Sequence, residues 1–149
     1  MKISDYLDEG LIAFLDVDTR DEAIELLIRL VDVEKYLPNQ ETFRNAIFAR
    51  EQLVSTGIGM GVAIPHAKLS EFTDFFIAIG IQQKKGIDWN ALDKAPVRLI
   101  FMIGGPEDRQ TEYLQILSLL TSAIRDIDLR KKLLNAQNVS EVFELFSQF

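Results

Sequence analysis

Apolar residues along this chain follow two rhythms, and the switches between them mark the elements. From Thr19 to Val33, residues Ala23, Ile24, Leu27, Leu30 and Val31 recur with the spacing of one helical face, and Asp18 or Thr19 can cap its start. Ahead of it, Leu11 to Val17 is a short apolar run ending in Asp and Thr, which predicts a strand and a turn. Beyond Pro38-Asn39 the helical rhythm returns over Glu41 to Val54, with Phe43, Ala46, Ile47 and Leu53 on one side, and it stops at Ser55-Thr56-Gly57. Phe75 to Gln82 and Val97 to Ile103 are instead unbroken runs rich in aromatic and branched residues, bounded by Asp, Gly and Pro. Such runs predict central strands buried on both faces. Gly104 to Asp108 then reads as a loop, and Thr111 to Ile124 as a long helix with its stripe on Leu114, Leu117, Leu120, Thr121 and Ile124. Two shorter helices, near Asp128 to Ala136 and Ser140 to Phe146, close the chain. With no internal repeat or low-complexity linker, the pattern predicts one α/β domain over residues 1–149, a sheet covered by helices on its faces.

Composition narrows the chemistry. At 149 residues and 48% hydrophobic, the chain can bury one substantial core and is short for two ordinary domains. It contains no cysteine, which removes disulfides, thiolate nucleophiles and cysteine metal sites, and its single histidine leaves no multi-histidine cluster for zinc, so no metal is expected. The net charge of −7 repels nucleic-acid phosphates and anionic membranes. The best basic clusters, Lys84-Lys85 and Arg130-Lys131-Lys132, are too short to reverse that field and read as solvated surface. No early segment has the form of a signal peptide, and the apolar runs are too short to span a bilayer. The expectation is a cytoplasmic protein with neither nucleic acid nor a membrane as partner, and an acidic surface suited to a basic protein partner.

The unusual stretch is Ser55 to His66, in which Gly57, Gly59 and Gly61 alternate before Ile64-Pro65-His66. Alternating glycines let successive amides approach and surround an anion, and they equally make turns before a short strand. Neither a dinucleotide fingerprint nor a Walker loop fits, because position 62 is Val and no Gly-Lys-Ser/Thr follows. Pro65 fixes its own φ and pushes Ile64 toward extended backbone, so His66 is delivered from a stiff segment. Neutral imidazole is a competent nucleophile, and with a reference pKa of roughly 6.5 much of it is neutral near physiological pH. A lone histidine that packs and makes one hydrogen bond satisfies the same spacing. Arg50 can meet phosphate oxygens with its planar guanidinium, and Lys68 can add a point charge; both also read as ordinary surface residues.

The run from Phe48 through Arg50-Glu51, Ser55-Thr56-Gly57-Ile58-Gly59-Met60-Gly61 and Ile64-Pro65-His66 closely resembles one active-site signature. It is that of the sugar phosphotransferase system enzyme IIA domains of the fructose, mannitol and nitrogen-regulatory class. The remainder of the chain is similar throughout, including Pro96 to Phe101 as a core strand and Leu114 to Leu120 in the following helix. The resemblance implies a single α/β domain with a mixed β-sheet flanked by helices on both faces. It further implies that His66 accepts a phosphoryl group, that Arg50 is the active-site arginine and that Gly57, Gly59 and Gly61 form the glycine-rich segment at the site; Lys68 joins them as a phosphate-binding candidate on its charge alone. No metal or organic cofactor is implied. One departure stands out: the family's second histidine, at the start of the late helix, falls on Tyr113. With a pKa of about 10, tyrosine can donate a hydrogen bond to a phosphoryl oxygen but does not become a cation near neutrality.

The implied donor is the phosphohistidine of the carrier HPr or of its nitrogen-branch relative. The implied acceptor or target is a IIB domain or a regulated transporter or sensor. The absence of an attached IIB, IIC or HPr-like segment in the sequence favours a stand-alone nitrogen-type regulatory IIA, a phosphohistidine carrier rather than a turnover enzyme. The alternatives are a fructose- or mannitol-type transport component, an interaction module that keeps the fold without relaying phosphate, and a hydrolase pairing His66 with Asp74 or Asp108.

Overall fold

A computed structural model describes residues 1–34 and 36–149. Six strands, β1 (Ile12–Leu15), β2 (Gly57–Gly59), β3 (Val62–Ala63), β4 (His66–Leu69), β5 (Phe76–Gln82) and β6 (Leu99–Pro106), form one sheet in the order β1-β5-β6-β3-β2, and β4 also pairs with β6. The helices are α1 (Arg20–Val33), α2 (Gln40–Leu53), α3 (Gln110–Ile124), α4 (Ile127–Asn135) and α5 (Val139–Leu145). Pairing is mixed, as the resemblance implies: β5 and β6 run antiparallel, while β1 lies parallel to β5, and β3 and β4 lie parallel to β6.

The two-residue period of β5 and β6 sorts the core into two layers. Ile77, Ile79, Ile81, Leu99, Phe101 and Ile103 pack with residues of α3, α4 and α5 on one face. Phe76, Ala78, Ile100 and Met102 pack with α1 and α2 on the other. Burial on both faces is why these strands read as unbroken apolar runs. Helix starts follow side-chain caps: Thr19 Oγ1 accepts from the Glu22 amide, and Asn39 Oδ1 accepts from the Thr42 amide.

Three expectations shift. Gly104 and Gly105 do not begin a loop; β6 runs on through Pro106, because a Cβ at position 104 would strike the Phe76 ring and one at 105 the Phe75 ring. Glycine here makes room for aromatic packing rather than for a turn. Val97 lies outside β6 and forms an isolated bridge to Ile87. The stripes of two helices are rotated from their expected phase. On α2, Leu53 is exposed while Glu51 is buried, and on α3 Leu114 is exposed while Tyr113 and Ile116 are buried. No described helix is long and apolar enough to cross a membrane, and no described cluster of His, Asp and Glu could hold a metal ion.

Candidate functional site

His66 opens β4 immediately after a break in the sheet ladder. Val62 and Ala63 pair with Leu99 and Ile100, and His66 pairs with Ile103, in the same register on either side of Ile64-Pro65. The strand is therefore continuous in alignment and interrupted only where Pro65 has no N–H to give. At the break, the Ile64 amide donates to Thr56 O (3.0 Å), the Pro65 carbonyl accepts from Ile103 N (3.0 Å), and the Ile64 carbonyl turns to the imidazole, 2.9 Å from Nδ1. A carbonyl can only accept, so Nδ1 carries the hydrogen and Nε2 keeps its lone pair in the neutral ring.

Burial is the main cause that holds the His66 imidazole below its ordinary value of 6.5; the Ile64 bond opposes this, the charges of Arg50 and Lys68 add to it, and Glu51 opposes it. The neutral ring is thus favoured in a half-buried, electropositive setting. Two clefts border it. One, of about 450 Å³, is lined by Arg50, Thr56, Ile58 and Ile64 together with Leu114 and Leu117 of α3. The other, of about 430 Å³, is lined by Arg50, Lys68, Ala67 and Glu107. Arg50 reaches both from the last turn of α2, where its Nη1 donates to Val54 O (2.8 Å). Lys68 bonds Gln110 Oε1 at the start of α3, and its ammonium lies 4.2 Å from the centre of the Tyr113 ring, a cation–π contact.

Tyr113 is 5% exposed, with its ring 5.7 Å from that of His66 and 6.2 Å from that of Phe75. Burial raises its pKa, and its hydroxyl makes no hydrogen bond among the described residues. The site therefore brings together His66, Arg50, Lys68 and Tyr113. It does not bring Gly57, Gly59 and Gly61 to the same clefts: they build the β2–β3 hairpin, whose loop residues Met60 (φ 61°) and Gly61 (φ 74°) both take left-handed backbone, as a tight two-residue hairpin requires. The Met60 amide donates to Asp93 Oδ2 (3.0 Å) and the Gly57 amide to Ser55 Oγ (3.0 Å), so these donors are engaged within the hairpin's own surroundings. The carboxylates considered for hydrolysis lie elsewhere. Asp74 pairs with Arg109 (3.4 Å), and Asp108 is an exposed turn residue.

Pattern reading passed over one group. Glu51, 3% exposed, accepts from the Thr56 amide (2.6 Å), the Thr56 hydroxyl (2.5 Å) and the Trp89 indole (3.0 Å). A signal was present: Phe43, Ile47 and Glu51 stand at four-residue steps, which puts a carboxylate on the buried stripe of α2.

Residues 5–149 match the protein family described as "Phosphoenolpyruvate-dependent sugar phosphotransferase system, EIIA 2". The chain belongs to this family. As an EIIA 2 domain it is a phosphoryl carrier of the phosphotransferase system. It is 34% identical over 129 residues to the nitrogen regulatory protein of Escherichia coli, covering 87% of this chain and 78% of that one. It is 32% identical over 149 residues to the fructose-specific EIIABC component of Bacillus subtilis, covering 99% of this chain and only 23% of that protein's length. Among solved structures, the nitrogen regulatory protein IIA-Ntr from Neisseria meningitidis superposes with a TM-score of 0.89 at 29% identity, covering 97% of this chain and 99% of that chain. The IIA mannitol of Escherichia coli shares the fold of this EIIA 2 domain, with a TM-score of 0.80 at 23% identity over 95% of this chain and 99% of that one.

Proposed function

We propose that this EIIA 2 domain takes a phosphoryl group from the phosphohistidine of HPr or its nitrogen-branch relative onto Nε2 of His66, and acts as a nitrogen-type regulatory IIA. The observation that carries this reading is the bond from Nδ1 to the Ile64 carbonyl, which leaves Nε2 as the nucleophilic nitrogen. In the transfer, the Nε2 lone pair forms a bond to phosphorus while the donor's P–N bond breaks and its electron pair returns to the donor imidazole. His66 keeps its Nδ1 hydrogen, and the Ile64 carbonyl stabilises the positive charge that develops on the ring. Arg50 and Lys68, one a planar fork and the other a point charge, balance the nearly two negative charges of the transferred group.

The regulatory assignment is supported by the closer superposition on IIA-Ntr (0.89) than on the IIA mannitol (0.80). Similar identity to a fructose-specific component keeps a transport role as the second reading, in which the group passes on to a IIB domain. Phosphorylated HPr and its nitrogen-branch relative, each regenerated by its own enzyme I and phosphoenolpyruvate, test the proposal. Intact mass under non-acidic conditions should show one phosphoryl group on the wild type and none on His66→Ala. No uptake from either donor overturns the carrier role of this site, and rapid onward transfer to a IIB domain moves the assignment to transport.

A further inference from the structure

The buried carboxylate of Glu51 has no part in the transfer chemistry above, yet every polar atom facing it is a donor. Glu51 Oε2 takes the Thr56 amide, and Oε1 takes both the Thr56 hydroxyl and the indole N–H of Trp89. Trp89 Nε1 also lies 3.1 Å from Thr56 Oγ1, so the three side chains close on one another. A carboxylate, acceptor at both oxygens, fits this arrangement; a carboxamide, with one end a donor, meets a donor whichever way it is turned. Such a fully satisfied buried network fixes its members in one geometry.

The network is wired to the imidazole. Thr56, pinned by Glu51 through both its amide and its hydroxyl, offers its carbonyl to the Ile64 amide at 3.0 Å, and the Ile64 carbonyl receives the Nδ1 hydrogen of His66 at 2.9 Å. Pro65 keeps its carbonyl bond to Ile103 of β6, while the Ile64 amide, facing the opposite side, is held by Thr56. The same α2 turn carries Arg50, so one anchored segment sets both the cation and the ring.

From this geometry we infer that Glu51 is a positioning residue for His66: by clamping Thr56 against Trp89 it holds the Ile64 peptide in the orientation that keeps hydrogen on Nδ1 and leaves Nε2 free. The inference rests on the reading of His66 as phosphoryl acceptor, and its first readout does not depend on that reading.

The experiment compares wild type, Glu51→Gln and Trp89→Phe, the last removing the indole donor while keeping the acid and most of the ring. Nitrogen-15 NMR of the imidazole reports the tautomer directly. Wild type should show hydrogen on Nδ1, and both folded variants a mixture with the Nε2-bound form. Single-turnover transfer from phosphorylated donor should then lose on the order of 10-fold in maximal rate, with the donor concentration for half-maximal rate unchanged. A loss of packing at the docking surface would move the half-saturation instead. Wild-type tautomer and rate in folded Glu51→Gln overturn the positioning role. Should Glu51→Gln not fold, the same outcome in Trp89→Phe overturns it. Tautomer mixing in a protein whose wild type takes up no phosphoryl group would sustain the positioning role and reject the carrier reading.

Discussion

At the scale of single residues, the pH response of His66 follows from its surroundings. Its imidazole sits below 6.5 chiefly because burial disfavours the charged ring. On the proposed reading, phosphoryl uptake by Nε2 needs the unprotonated form, so the maximal transfer rate should rise with pH through a midpoint below 6.5 and level off at higher pH. A rate profile with its midpoint above 6.5 would contradict the buried, cation-flanked setting. The same depression makes a statement about folding. Well above pH 6.5 the histidine is neutral in both folded and unfolded chains and contributes no pH dependence. As pH falls below 6.5 the unfolded chain binds the proton first, and stability declines until the folded ring titrates as well. Tyr113, at the position where the resemblance places a second histidine, is a buried ring that supports Lys68 and stacks on Phe75.

At the scale of elements, the strand ends and helix phases separate what was legible in the sequence from what was not. The continuous apolar runs of β5 and β6 announced a doubly covered sheet, and the Asp18-Thr19 cap and the Pro38-Asn39 break marked two helix starts. Gly104-Gly105 misled because glycine signals both a turn and a crowded strand, and only the positions of Phe75 and Phe76 distinguish them. Gly105→Ala should therefore destabilise the fold by about 1–3 kcal/mol through overpacking, read as a lower urea midpoint at unchanged slope; an unaltered midpoint would mean that Phe75 has room to retreat. The candidate site was partly legible for a similar reason. The Ile-Pro-His delivery is local and visible, whereas the Glu51–Thr56–Trp89 network joins α2, the segment before β2 and a loop 33 to 38 residues away. Leu53 and Leu114 were assigned to helix interiors by type, and both lie outside because the stripe that faces the sheet is set by Phe43 and Ile47 on one helix and Ile116 and Leu120 on the other.

At the scale of the whole molecule, those outward side chains belong to one surface. Leu53, Val54, Ile58 and Leu92 are exposed around a cleft of about 770 Å³ that shares Ser55 and Ile58 with the cleft beside His66, and Leu114 flanks the latter. Apolar side chains gathered at the mouth of the candidate site, on a molecule of net charge −7, suit transient docking of a protein donor whose opposing surface is basic at its rim. Leu92, 98% exposed, tests this cleanly because its side chain supports no core. Leu92→Ser should leave the urea midpoint unchanged and raise the donor concentration for half-maximal transfer about five-fold, the equivalent of about 1 kcal/mol at an interface. An unchanged half-saturation would place the docking surface elsewhere. Trp89, finally, is the chain's sole tryptophan and is fully buried against Glu51 and Thr56. All the indole fluorescence of this protein therefore arises from one position, bonded to the carboxylate behind the histidine, so its emission provides a label-free optical view of that network while the site is being loaded.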